Sequence, residues 1–120
     1  MNLVQVAGLL GFFGVALGAF GAHALTGRVS EHLIEVWKTG VFYQLVHSVA
    51  LLLLAALGTR VGRPRIVAGL FLAGIAIFSG SLYALVLTNQ RWLGAITPLG
   101  GIAFLLGWLA LVLTSRRGLA

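Results

Sequence analysis

Long apolar runs alternate with short polar segments along this chain. Four runs, residues 3–25, 41–58, 66–87 and 98–114, are apolar enough to be membrane-spanning helices, because about 20 apolar residues of helix cross a hydrocarbon core. The first run exceeds a signal-peptide core in length and has no Lys or Arg before it, so we expect a retained span. The pattern predicts an all-α membrane protein in which residues 1–120 form a single four-helix bundle.

The segment between the first two spans has a helical pattern of its own. Ser30 is a typical N-cap, and Glu31 follows it where the helix dipole favours a negative charge. Apolar residues, Trp37 among them, then recur at helical spacing opposite charged ones. We therefore predict a short interfacial helix between spans one and two, with Trp37 at head-group level and Trp92 as a second anchor on the same side.

Composition agrees with burial in lipid. The chain is 60% hydrophobic and 8% charged, whereas about a quarter of the residues of a soluble domain are charged. The absence of cysteine excludes disulfides and thiolate chemistry. The net charge of +6 is dispersed through short loops, so we expect membrane lipids as partners and no nucleic acid.

Orientation follows from the basic residues of the loops. One side carries five, Arg60, Arg63, Arg65, Arg116 and Arg117, and the other carries three, Arg28, Lys38 and Arg91. Since Lys and Arg are enriched in cytoplasmic loops, the count predicts that the N- and C-termini are both cytoplasmic.

An internal repeat is suggested when the chain is shifted by half its length. Twelve of the 60 residue pairs are then identical, and Gly14 aligns with Gly74 while His23 aligns with Tyr83. This would make the fold a parallel pseudo-repeat of two hairpins. Membrane helices use few residue types, which produces similar matches without a repeat, and both interpretations stay open.

Small residues line several spans at helical spacing. Lipid provides little hydrophobic force between helices, so close packing matters, and small residues allow it. We predict that the helix-packing positions include Gly14, Gly18, Gly21, Gly80, Gly100 and Gly107. Span two instead carries a polar face, with Gly40, Gln44 and Ser48 on one row and Tyr43 and His47 on the neighbouring row, and we expect this face to point inward.

Polar side chains from three spans fall at a similar predicted depth, in the outer half of the bilayer. We call them the polar layer: His23, Tyr43, Gln44, His47, Ser79, Ser81 and Tyr83. Polar residues inside a membrane are costly unless partnered, which makes this layer the candidate ligand-binding site. Interhelical hydrogen bonding is the alternative interpretation of the same residues.

The chemistry open to the polar layer is limited. No Asp, Glu, Lys or Cys lies in any span, which excludes a buried acid and a carboxylate-rich metal site. Two histidines without further ligands are a weak signal for haem or copper. A serine nucleophile would need a histidine oriented by an acid that the spans lack. We therefore predict no catalytic residue, no metal and no cofactor.

Five motifs resemble the bacterial membrane family known as domain of unknown function 423, which has a eukaryotic relative called transmembrane protein 256. They are ALGAFGAH at 16–23, WxTGxxYQxxH at 37–47, FSGSLY at 78–83, TPxGG at 97–101 and FxxGW at 104–108. The resemblance covers all four spans and implies a small multi-pass protein of the bacterial cell (inner) membrane. It implies no substrate or reaction.

These observations lead to a ranked set of hypotheses. The first is a non-enzymatic binding or accessory component with a polar pocket toward the outer leaflet, which takes a lipid-like or small amphipathic ligand. The second is a small channel or transporter that works as a homo-oligomer. An enzyme that acts on a lipid or a quinone comes third.

Overall fold

The computed structural model describes residues 1–115 and contains four long helices. They are α1 (Leu3–Leu25), α2 (Glu31–Arg60), α3 (Pro64–Thr88) and α4 (Arg91–Thr114). Each is long and apolar enough to cross a membrane, which confirms the predicted all-α, four-span architecture. The first span has the predicted bounds, and the other three helices extend beyond theirs.

Local sequence signals account for the helix starts. Asn2 and Gln5 form a reciprocal capping box, with hydrogen bonds of 2.8 and 3.0 Å between each side chain and the other residue's backbone N–H. The Ser30 hydroxyl accepts from the backbone N–H of Leu33 at 3.2 Å, so the predicted N-cap is confirmed. Pro64 opens α3, where its missing N–H costs no hydrogen bond.

Two of the helices contain a π-helical turn. The turn Gly21–Leu25 ends α1, and the turn Ile75–Ser79 divides α3 into Pro64–Gly74 and Gly80–Thr88. A 3₁₀ turn ends α2 at Gly58–Arg60, and another begins α4 at Arg91–Ala95, after which α4 is α-helical over Thr97–Thr114. A π turn contains one residue more than an α turn, so it changes which face the following residues occupy.

The helix predicted between spans one and two exists, but it is not a separate element. It continues without a break into span two as one α-helix, Glu31–Leu57. Trp37 also differs from its predicted position at the head groups: it is 2% exposed, and its indole N–H donates to the Leu17 carbonyl at 2.8 Å. Gly21 makes room for the indole, because a Cβ there would overlap the ring. Trp92 is 62% exposed, as an anchor would be.

The helices pack as two antiparallel hairpins, α1 with α2 and α3 with α4. The hairpins meet through α2 and α3. A two-fold axis between them would convert that contact into an equivalent one between α4 and α1, and no comparable contact joins those helices within residues 1–115. The hairpins of the predicted repeat are therefore present without two-fold symmetry, and a common sequence origin stays a prediction.

Buried side chains form two apolar clusters with polar residues between them. The larger cluster lies toward the Gly58–Arg60 end and the smaller toward the Ser30 end. The larger contains Ala7, Ala50, Leu51, Leu54, Val61, Val67, Phe71, Ile75 and Phe104, and the smaller contains Leu25, Trp37, Val41 and Val86. Gln44, His47 and Ser48 of α2 are buried between them, as predicted for the inward polar face of span two, whereas Tyr43 of the same predicted face is 37% exposed.

Close glycine contacts occur in both hairpins. Added Cβ atoms at Gly14, Gly18 and Gly21 would meet Leu45, Val41 and Trp37 of α2, and those at Gly100 and Gly107 would meet Phe78 and Phe71 of α3.

Gly80 differs from its predicted packing role, because a Cβ there would meet no neighbouring atom within 4 Å. Gly74 is the close-contact glycine of α3 instead, and it lies against the ring of Phe104. The hairpin of α3 and α4 thus packs aromatic side chains against glycines instead of bringing two stripes of small residues face to face.

Candidate functional site

Gln44 joins three helices at the centre of the protein. Its side chain is 4% exposed; the amide N–H donates to the Leu10 carbonyl of α1 at 2.8 Å, and the amide oxygen accepts from the Tyr83 hydroxyl of α3 at 2.7 Å. Gly14 lies beside this contact, and a Cβ there would come within 3.5 Å of the amide nitrogen. The donor and acceptor of this amide are thus both engaged, and its orientation is fixed.

Serine hydroxyls make further links between helices. Ser79 is fully buried and donates to the Gly40 carbonyl of α2 at 2.7 Å. Ser81 lies 2.6 Å from the Thr97 hydroxyl of α4 and donates to the Phe78 carbonyl at 2.9 Å. Neither serine hydrogen-bonds to a histidine in the described part of the chain, so the contact that a serine nucleophile requires is not formed.

His47 is held at both ring nitrogens. Nδ1 lies 2.8 Å from the Tyr43 carbonyl, and Nε2 lies 3.1 Å from the indole nitrogen of Trp108 on α4. Because a carbonyl only accepts and an indole N–H only donates, these contacts require the neutral imidazole with its proton on Nδ1. The ring also stacks on Phe104, with centroids 3.7 Å apart. In this arrangement neither nitrogen is available to a metal.

An aromatic groove opens beside His47, between α2, α3 and α4. It has a volume of about 480 Å³ and is lined by Tyr43, His47, Phe78, Pro98, Gly101, Ile102, Phe104, Leu105 and Trp108. Its walls are mainly apolar. Tyr43 is 37% exposed, and its hydroxyl has no hydrogen-bond partner among residues 1–115. Tyr43 thus brings an unpartnered hydroxyl to a groove whose lining is otherwise mainly apolar.

His23 lies apart from the rest of the polar layer. It is exposed on the π turn that ends α1 and has no hydrogen bond within the described residues. Gly14 marks the face of α1 that contacts α2, and His23 follows it by nine residues. Nine residues of α-helix make about two and a half turns, so His23 lies on the opposite face. The other six residues occupy α2 and α3: Gln44 and Tyr83 bond directly, Ser79 and Ser81 link helices, and Tyr43 and His47 line the groove.

Sequence reasoning missed the contribution of α4 to this site. Trp108, Phe104 and Thr97 contact His47 or Ser81 from that helix. A signal was present for Trp108, because an indole N–H inside a membrane span needs an acceptor. His47 was the candidate acceptor, because it is the one imidazole in the middle of a predicted span. No comparable signal identified Phe104, whose role is to stack on a ring.

Four helices that are long and apolar enough to cross a membrane, joined by buried hydrogen bonds, define a multi-pass membrane protein. Residues 17–101 match the family described as "Protein of unknown function (DUF423)", and the chain belongs to this family. The resemblance inferred from the five motifs is thereby confirmed.

Curated relatives extend the match to the whole chain. A UPF0382 membrane protein of Staphylococcus aureus is 43% identical over 98% of each chain. The UPF0382 membrane protein YwdK of Bacillus subtilis is 44% identical over 86% of each chain. No solved structure matches this chain. The names of the relatives describe membrane proteins and state no ligand or activity.

Proposed function

We propose that this protein is a non-enzymatic binding or accessory component of the bacterial cell membrane. Its ligand is a lipid-like or small amphipathic molecule that enters the aromatic groove from the bilayer. The observation that carries the proposal is the Tyr43 hydroxyl, which lies unpartnered on the apolar groove wall.

Hydrogen bonding supports this assignment within the polar layer. Gln44, Ser79 and Tyr83 bond to one another or to the backbone of neighbouring helices, and Ser81 bonds to the Thr97 hydroxyl of α4. An unbonded hydroxyl in hydrocarbon is unfavourable, so Tyr43 gains free energy from any ligand that brings an acceptor to it. This supports binding over conduction, since a water-filled path needs polar groups that are free to hydrate.

Groove shape and lining indicate the ligand chemistry. The volume of about 480 Å³ lies within the range of about 300–1,000 Å³ for small-molecule sites. Phe78, Phe104 and Trp108 offer aromatic faces, and the Tyr43 hydroxyl can donate to a carbonyl or ester oxygen. A chain or ring that bears a carbonyl fits this combination.

Replacing Tyr43 by Phe is expected to weaken binding of such a ligand about three- to tenfold, because one hydrogen bond is lost while the apolar surface is kept. The measurement is quenching of tryptophan fluorescence by a short-chain quinone analogue in a Trp92→Phe background. Trp37 and Trp108 then remain as emitters, and of these two only Trp108 lines the groove. A hydrocarbon analogue without carbonyls should bind wild type and Tyr43→Phe equally.

A pair of substitutions on α4 tests the location of this binding. Ile102→Phe adds bulk inside the groove and should reduce quenching, whereas Leu113→Phe adds the same ring to the lipid-exposed surface outside it. The proposal would be contradicted if Tyr43→Phe, Ile102→Phe, Leu113→Phe and wild type all had the same affinity for the quinone analogue.

We also propose that both termini are cytoplasmic. In the described residues, the connection between α2 and α3 carries Arg63 with Arg60 and Arg65 beside it, and the opposite side has Arg28, Lys38 and Arg91. Arg116 and Arg117, which add to the first group, lie outside the described residues. A reporter fused after Ala120 should be active in its cytoplasmic form. A reporter that is active only in the periplasm would contradict the proposed orientation.

A further inference from the structure

A second cleft lies at the end of the protein where α2 begins and α3 passes into α4. Its volume is about 460 Å³, and it is lined by Ser30, His32, Leu33, Val36, Leu85, Asn89 and Arg91. None of these residues lines the aromatic groove. The cleft is thus a separate feature, and the inference drawn from it does not rest on the proposed function.

One side of the cleft carries hydrogen-bond donors that are not used elsewhere. The side chains of His32, Asn89 and Arg91 have no hydrogen bond or ion pair with another residue in the part of the chain that the structure describes. Lys38, by comparison, pairs with Glu35 at 3.5 Å. The acidic residues Glu31 and Glu35 do not line the cleft. Its charge is therefore that of Arg91, which favours an anion.

The other side of the cleft is apolar and leads toward the membrane. Leu33, Val36 and Leu85 are half-buried and lie on the parts of α2 and α3 that continue into the spans. Trp92, next to Arg91, is exposed in the manner of an interfacial residue. The 27 α-helical residues of α2 measure about 40 Å against a hydrocarbon core of about 30 Å. Its charged first turns therefore extend into the head-group region.

From this arrangement we infer that the cleft binds the head group of an anionic phospholipid. The planar guanidinium of Arg91 can donate two parallel hydrogen bonds to phosphate oxygens, and the Asn89 amide and His32 ring supply further donors. An acyl chain then lies along Leu33, Val36 and Leu85. This apolar wall identifies a lipid as the occupant, since free phosphate gains nothing from it.

The test uses the full-length protein in detergent and native mass spectrometry with added phosphatidylglycerol or phosphatidylcholine. Wild type should retain phosphatidylglycerol preferentially, and Arg91→Ala should lower that retention about five- to tenfold. Arg91→Lys, which keeps the charge, should retain an intermediate amount. Arg28→Ala is the matched control, because it removes the same charge from the same end of the protein but outside the cleft.

The possible outcomes separate this site from general attraction of anions. Loss of phosphatidylglycerol in Arg91→Ala with retention in Arg28→Ala supports the cleft as the site. An equal loss in both variants, or equal retention of the two lipids by wild type, overturns the inference. Displacement of phosphatidylglycerol by inorganic phosphate at equal concentration would also overturn it, because the apolar wall would then contribute nothing.

Discussion

Gly100→Ala is expected to lower the stability of the folded protein by about 1–3 kcal/mol, the usual cost of an overpacked contact. A Cβ at Gly100 would overlap the backbone nitrogen of Phe78 and lie 2.7 Å from its Cα. Backbone atoms cannot rotate away as a side chain can, so α3 and α4 must separate. Since that contact also positions Phe78 and Phe104 in the aromatic groove, the variant should lose groove binding as well.

Gly101 provides the control for the stability part of this prediction; it lines the groove itself, so it does not serve as a control for binding. It lies one residue further along α4, and an added Cβ would meet only the Phe78 ring at 3.9 Å, an ordinary contact. Both substitutions gain the helix propensity of alanine, about 1 kcal/mol, so the two variants differ in packing alone. Reversible unfolding in mixed micelles should show Gly101→Ala at or above wild-type stability. Equal stability of the two alanine variants would mean that α3 and α4 are not in this contact.

Trp37→Ala should be the most destabilising single truncation, at about 3–5 kcal/mol. The side chain is 2% exposed, packs on the Tyr83 ring with centroids 4.7 Å apart, and donates to the Leu17 carbonyl. Its removal leaves a cavity between α1, α2 and α3 and takes away the hydrogen bond that joins α1 to α2 at this level.

Trp92→Ala removes the same side chain from an exposed position and should change stability little. The same unfolding measurement compares the two variants, and Trp37→Phe, which restores a ring but not the N–H, should fall between them. If Trp37→Ala and Trp92→Ala unfold alike, then Trp37 lies at the membrane surface, as the sequence pattern had indicated, and the packing of α1 on α2 described above is incorrect.

Hydropathy and local signals were sufficient to predict the spans, the Ser30 cap and the inward polar face of α2. These features depend on residues close together in the chain, such as an apolar run of sufficient length or a serine ahead of a helix. The same reasoning placed Gln44, His47 and Ser48 inside, because polar side chains in a span need partners.

The contacts between distant residues could not be predicted in the same way. Trp37 is of the residue type that is typical of interfacial anchors, and it can be buried because Gly21, on another helix, leaves room for its ring. The face of α3 that meets α4 carries Phe71 and Gly74, which contact Gly107 and Phe104, and it leaves the predicted packing position Gly80 without a contact. His23 was grouped with the polar layer by depth alone, although its helical angle directs it away.

Gln44 has a consequence for how the helices can move. Hydrogen bonds between helices add to the glycine and aromatic contacts that already interlock them, because a hydrogen bond is lost once its atoms separate by more than about 1 Å. The Gln44 amide holds a carbonyl of α1 and the Tyr83 hydroxyl of α3 at the same time. A shift of either helix along α2 by one turn, about 5.4 Å, would break one of these bonds. Gln44 therefore contributes to the axial register of three helices, and its bond to Tyr83 resists piston-like motion between the two hairpins.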